Sequence, residues 1–264
     1  MDQSDTSIRE ALDRTAARLT KRFSQLPIPV GRITNELGVQ IERKNLEGRG
    51  SSYLMLPHFD GEAPRVLLST KSRQGPHNGV TSADRFKVAH ELGHYVVFSL
   101  FGITPRGESE YWKHEDICDG FARLLLTPER LCRESSLTGA RGITDVDLLS
   151  KRARIPWMQA ATRITELAQD RVFFVLDVEN SRLKVSKSSL ANKREIKRIL
   201  HSKTQFADLV LRTTERAPCE AKLRAADLVR AGFTTFNGTS NYCVQVRFAW
   251  VKEQPQFQVG ILTA

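Results

Sequence analysis

Apolar residues recur at a helical period near the start of the chain, at Ile8, Leu12, Ala16, Leu19 and Phe23. This predicts an amphipathic helix over residues 8–24. The stretch PIPVGRITNELGVQI follows and reads as a short helix that stops at Gly38. Three strand-like runs come next, at about 39–44, 51–57 and 65–70, separated by the turn-rich EGRG and FDGEAP. KSRQGPHNG is a loop, punctuated by Gly75-Pro76 and Asn78-Gly79. A helix then starts near Ser82 or Asp84, either of which can cap it. A second strong helix spans about 110–126 and ends before Pro128, and a shorter helical pair covers about 143–168. From about Asp170, strand-like runs (RVFFVLDV, YCVQVRFAWV, FQVGIL) alternate with basic runs of helical character (KREIKRIL, AKLRAADLVRAG). The pattern contains no internal repeat and no low-complexity tract.

The helix that follows the loop breaks the usual separation of apolar and polar positions. In RFKVAHELGHYVV, Phe86, Ala89, Gly93, Val96 and Val97 form one apolar side, and Val88, Leu92 and Tyr95 fill much of the rest. A helix apolar nearly all round is buried, yet this one holds His90, Glu91 and His94. The two histidines are four apart and leave the same face one turn apart, so both imidazoles can meet one metal ion. Glu91 is rotated by about 100° from His90. It can reach a water beside that ion rather than ligate the ion itself. This is the His-Glu-x-x-His arrangement of zinc metallopeptidases, two ligands and a general base. Gly93 costs roughly 1 kcal/mol of helix stability against alanine, which a close backbone approach by a strand or substrate would explain.

A third ligand is expected on the next helix. In HEDICDGFARLLLTP, Glu115, Cys118, Ala122 and Leu125 share one stripe. A carboxylate on an apolar stripe is costly unless compensated, and a cation held with His90 and His94 would compensate it. Asp119, one turn beyond Glu115, can accept the spare ring N–H of a ligand histidine. The thermolysin-like class, with its His-His-Glu zinc site, shares this arrangement. His114 is a rival ligand that faces inward less well than its neighbour.

Composition changes the picture in two respects. The formal charge of +10 and pI near 9.7 favour nucleic acid, or a protein that works on nucleic acid, as a partner. The four cysteines, Cys118, Cys132, Cys219 and Cys243, are scattered and form no CxxC pair. They read as neither a disulfide framework nor a cysteine zinc site, which points to a reducing cytoplasm. No run is apolar enough to cross a bilayer, and the polar start MDQSDTSIREALDRT argues against a secretory signal.

RFKVAHELGHYVV followed by EDICDGFARLLLTP resembles the ImmA/IrrE family of metallopeptidases. The matching residues are Arg85, Ala89, His90, Glu91, Gly93 and His94, then Glu115, Cys118, Asp119, Phe121, Ala122, Leu124 or Leu125, and Pro128. Thr127 stands where the family often has a small apolar residue or Met. The resemblance covers about residues 25–168; ITDVDLLSKRARIPWMQAATRITEL is similar to the helix-turn-helix-like unit that often follows the catalytic part. It implies an α+β fold in three parts. Residues 1–140 would be a zincin-like metallopeptidase domain with a small mixed sheet and active-site helices. Residues 141–169 would be the helix-turn-helix-like unit, and residues 170–264 a C-terminal α/β domain, GAF-like as in radiation-resistance members.

The implied activity is that of a cytoplasmic endopeptidase that cleaves a helix-turn-helix transcriptional repressor and releases a stress-response or mobile-element operon. The implied cofactor is one Zn2+ ion, with Mn2+ or another divalent ion as alternatives, held by His90, His94 and Glu115. Glu91 would be the general base and Asp119 the partner of a ligand histidine. Tyr111, His114 and Arg85 are candidates for stabilising the oxyanion. Direct DNA binding by Lys151, Arg152, Arg154 and an exposed Arg163 is the less favoured use of the helical pair, because PWMQAA offers only Gln159 to read bases. The competing reading is a DNA-binding or antitoxin-like regulator whose metal site is structural or vestigial. A 2-His-1-carboxylate iron oxygenase is weaker, since such sites need no glutamate beside the first histidine.

Overall fold

The computed structural model describes residues 3–46, 51–57, 59–70, 80–102, 114–137 and 143–167, and five strands within 171–263. The chain is a mixed α+β protein that divides into two compact units. One comprises Met1–Leu137 with Leu148–Ala160, and the other Thr138–Asp147 with Ala161–Ala264.

In the first unit, α1 (Gln3–Thr20) buries Ile8, Leu12, Ala16 and Leu19, the periodic stripe expected of it. Helix α2 (Val30–Glu36) ends in a left-handed turn. Gly38 has φ +68°, its N–H bonds Asn35 O at 3.1 Å, and Val39 N–H reaches back to Thr34 O at 2.9 Å. This pair of bonds satisfies the last carbonyls of the helix and needs a residue without a Cβ at position 38.

A small mixed sheet follows, with β1 (Gln40–Lys44), β2 (Ser52–Met55) and β3 (Arg65–Ser69) in the order β1-β3-β2. Strand β3 is parallel to β1 and antiparallel to β2. It is therefore the central strand of the sheet. Val66, Leu67, Leu68 and Ser69 are all buried, on both faces, and a continuous apolar run of this kind belongs between two partners. The edges are β1, which carries Glu42, Arg43 and Lys44, and β2.

Helix α3 (Ser82–Phe101) packs on β2, β3 and α4 (Glu115–Leu126), and α1 packs on α4 as well. The N-cap of α3 is Thr81, one residue ahead of Ser82 and three ahead of Asp84, the expected caps. Asp84 N–H bonds Thr81 Oγ1 at 3.0 Å, and the Asp84 carboxylate accepts from Thr81 N–H at 3.3 Å. Asp84 is fully buried and also accepts from Arg43 Nη2 at 2.8 Å, which ties β1 to the start of α3. The carboxylate is thus paired twice and sits at the positive end of the helix. Thr127 closes α4 with its hydroxyl on Arg123 O, so the departure from the apolar family pattern buries no unsatisfied group.

Helices α5 (Glu129–Glu134), α6 (Ile143–Ala153) and α7 (Trp157–Leu167) complete the helical part. The boundary between the units runs through both α6 and α7. Arg163, expected to be exposed, is only 4% exposed and is paired with Glu166 at 3.2 Å. The apolar stripe of α7, with Ala160, Ala161 and Ile164 buried, includes its position.

The second unit contains a five-stranded antiparallel sheet: β4 (Arg171–Glu179), β5 (Arg182–Ser188), β6 (Cys219–Arg224), β7 (Cys243–Trp250) and β8 (Phe257–Thr263), in the order β5-β4-β8-β7-β6. Strand β6 corrects the helical reading of AKLRAADLVRAG, whose first four residues pair with β7. KREIKRIL lies outside the described residues. Cys219 pairs with Phe248 and Cys243 with Arg224, at opposite ends of one ladder. No helix among the described residues is long and apolar enough to cross a membrane.

Candidate metal centre

The site is assembled by two helices that approach unusually closely. A Cβ placed on Gly93 would stand 3.1 Å from both Cα and Cβ of Cys118 and 3.3 Å from its sulfur. The close approach inferred from Gly93 therefore exists, but its partner is helix α4 rather than a strand or a substrate. The contact brings the first turn of α4 against the middle of α3, where the histidines are.

His90 is 9% exposed and His94 fully buried, with ring centroids 5.0 Å apart. Their Nε2 atoms lie 3.2 Å from each other. Glu115 reaches both: Oε1 is 2.9 Å from His94 Nε2, and Oε2 is 3.3 Å from His90 Nε2. The three side chains form a group that could hold a metal ion, with their donor atoms all within 4.8 Å of one another. Zn–N and Zn–O bonds of 2.0–2.1 Å in a tetrahedron place neighbouring ligand atoms roughly 3.3 Å apart. The observed separations fit that figure. Two imidazole nitrogens and a carboxylate facing one point are also a donor set of the kind zinc takes.

Asp119, one turn along α4, accepts from His90 Nδ1 at 2.8 Å. An ionised carboxylate only accepts, so the proton sits on Nδ1 and Nε2 is directed at the centre. Burial pulls the His90 pKa down, but the bonds to Asp119 and Glu115 and the charge of Glu91 outweigh it. The result is a rise from 6.5 to about 10. Burial pushes Glu115 up, and its bonds to His90 and His94 outweigh that, leaving it lowered from 4.5 to about 2. Burial, followed by the charges of Glu115, Glu91 and Asp119, pushes the Cys118 thiol well above its ordinary range. Cys118 is thus a neutral packing residue behind the site.

Glu91 is 3% exposed. Ser52, the first residue of β2, donates from Oγ to Glu91 Oε1 at 2.8 Å. Sequence reasoning missed Ser52: it lies 39 positions upstream of Glu91 and a serine opening a strand carries no local signal.

The three oxyanion candidates fare differently. Tyr111 lies outside the described residues. His114 occupies the N-cap position of α4, half-buried, and is not part of the convergent group. Arg85 is a brace. Its Nη2 donates to Ile28 O at 2.8 Å and Ala153 O at 3.4 Å, and its Nε to Arg154 O at 3.2 Å. Five residues before His90, it leaves the helix on roughly the opposite side. Arg154 has a φ of +53° just after α6, which turns its carbonyl into this arrangement. Burial, then the charge of Arg154, lowers the Arg85 pKa to about 10, so it stays cationic at neutral pH.

No protein-family model and no curated protein matches the chain. Among solved structures, it is similar to a Mycobacterium tuberculosis transcriptional regulator, with a TM-score of 0.54 and 12% identity over 97% of this chain and 76% of that one. At this identity the likeness concerns the fold.

Proposed function

We propose that the chain is a zinc-dependent endopeptidase of the ImmA/IrrE kind, with a zincin-like catalytic part, acting on a helix-turn-helix repressor. One observation carries the reading. His90, His94 and Glu115 converge on a single point, while Glu91, held apart by Ser52, stays out of the ligand group. A carboxylate beside the ligands but outside the ligand group is what a water-activating base requires.

When bound, zinc would polarise a peptide carbonyl and bring the pKa of a water to about 7. Glu91 would take the proton of the attacking water and pass it to the leaving amide nitrogen. Asp119 would hold the tautomer and orientation of His90. The peptide would lie as an added strand along β2, the sheet edge against which α3 packs. Of the described oxyanion candidates, His114 adjoins Glu115, whereas the guanidinium of Arg85 is committed to backbone carbonyls.

The regulatory part of the proposal is supported by the family resemblance and by the name of the structural neighbour. A site of action in the cytoplasm follows from the same resemblance. The five-stranded sheet of the second unit would serve as the sensing or docking part, the role of a GAF-like domain. The DNA-binding alternative loses its two polar groups on α7. Arg163 is buried against Glu166, and Gln159 accepts from Arg123 Nη1 at 3.2 Å. Incubation of the purified protein, with and without zinc, with the repressors encoded beside its gene tests the reading. Zinc-dependent appearance of a new terminus in one repressor is expected; intact repressors in every mixture would contradict it.

A further inference from the structure

We propose that Ser52 is the positioning residue of Glu91, holding its carboxylate at a fixed stand-off from the metal centre; this rests on the peptidase reading above. A carboxylate beside two histidines and a cation tends to collapse onto the positive charge. A collapsed glutamate becomes a ligand and ceases to be a base. The chain therefore needs a donor that holds Glu91 in place, and one is present. Ser52 comes from a different element, the edge strand β2, and donates at 2.8 Å to a carboxylate that is 3% exposed. A hydroxyl has a single proton to give, so this bond takes the whole donor capacity of Ser52. A bond to an ionised acceptor is of the stronger kind.

The register of β2 separates the two uses of Ser52. Ser52 pairs with Leu68, so Ser51 faces Ser69, and Ser69 N–H bonds Ser51 O at 3.1 Å. In an antiparallel ladder the main-chain groups of successive residues point to alternate sides. Those of Ser51 point to β3, so those of Ser52 point to the side of β2 away from β3, where the peptide is proposed to lie. Its side chain shares a face with that of Leu54, which is 1% exposed. Deleting the hydroxyl thus leaves the docking edge intact and removes one restraint on the base. A residue that merely filled space or satisfied a buried oxygen would give no such split between docking and chemistry.

The test uses the zinc-loaded full chain and the helix-turn-helix repressor encoded beside its gene. In Ser52→Ala, kcat is expected to fall about tenfold to a hundredfold, the cost of a misplaced reacting group. KM and zinc content should stay at the wild-type level. Ser52→Thr keeps the hydroxyl on a residue suited to a strand and should recover most of kcat. A second measurement needs no cleavage: a thermal-unfolding cycle of Ser52→Ala, Glu91→Ala and the double variant, in which the two effects are expected to be non-additive. Additive effects would overturn the proposal, as would wild-type kcat in Ser52→Ala or a Ser52→Thr as impaired as the alanine variant. A wild type that cleaves nothing overturns the peptidase reading and the positioning role together. A cleaving wild type beside a fully active Ser52→Ala overturns the positioning role alone.

Discussion

Gly93 and Cys118 meet at a distance that leaves little room for a side chain at position 93: a Cβ there would lie 3.1 Å from the Cys118 Cα. The candidate metal centre depends on this contact, because Glu115 sits one turn before Cys118 on α4 and the histidines flank Gly93 on α3. The distance between the helices is what lets one carboxylate reach both imidazoles.

The first prediction follows from that contact. In Gly93→Ala, helix propensity gains roughly 1 kcal/mol, but overpacking against backbone costs about 1–3 kcal/mol. The net expectation is a fold destabilised by about 1 kcal/mol, since these ranges largely offset each other. The metal centre should suffer more than the fold, because α4 must shift by a few tenths of an ångström to admit the methyl group. Chelator competition should show zinc affinity reduced by about tenfold or more, the scale reported for disturbed ligand support. Unchanged affinity would mean that the helix spacing does not set the site.

A second prediction concerns protons. His90 is raised from 6.5 to about 10 in the metal-free protein, so its contribution to stability is fully present below pH 6.5 and lost as pH rises through about 10. Glu115 is lowered from 4.5 to about 2, so its contribution is present above pH 4.5 and lost as pH falls through about 2. Chelator-treated wild type should therefore exceed His90→Ala in thermal stability by a margin that is level from pH 4.5 to 6.5 and shrinks toward pH 10. Zinc must also displace the His90 proton, so calorimetry at pH 7 in buffers of different ionisation enthalpy should show release of about one proton. Binding heats that do not depend on the buffer would contradict this.

The third prediction tests the sheet order. Leu68 sits in the central strand, paired with Arg43 on one side and Ser52 on the other. A proline there removes a ladder hydrogen bond and a fully packed side chain. Leu68→Pro is expected to lose about 3 kcal/mol or more, enough to unfold the first unit as seen by circular dichroism. A folded Leu68→Pro would contradict the central position of β3.

What the sequence made legible was what local periodicity carries. His90 and His94 are one turn apart, and so are Glu115 and Asp119, and helical geometry alone brings each pair to one face. The stop of α2 at Gly38 and the end of α4 before Pro128 were legible from glycine and proline as helix-stop signals. Contacts between elements were not. Ser52 reaches Glu91 from a strand 39 residues away. Arg85 looked available to substrate until the carbonyls of Ile28, Ala153 and Arg154 were seen around it. The central place of β3 comes from its pairing with both β1 and β2, which local pattern does not carry. Strand β6 was hidden because AKLR has good helix formers, and strand pairing overrides propensity.

The central claim is that Glu91 is a base beside a metal held by His90, His94 and Glu115. Glu91→Gln keeps the shape of the side chain, and its amide oxygen can still accept from Ser52, but the amide cannot take up a proton. The direct measurement is the zinc content of this variant together with mass spectrometry of the repressor after incubation. One zinc per chain is expected in both proteins, with a cleavage rate in Glu91→Gln lower by about a hundredfold to ten-thousandfold. Cleavage by Glu91→Gln at the wild-type rate would contradict it.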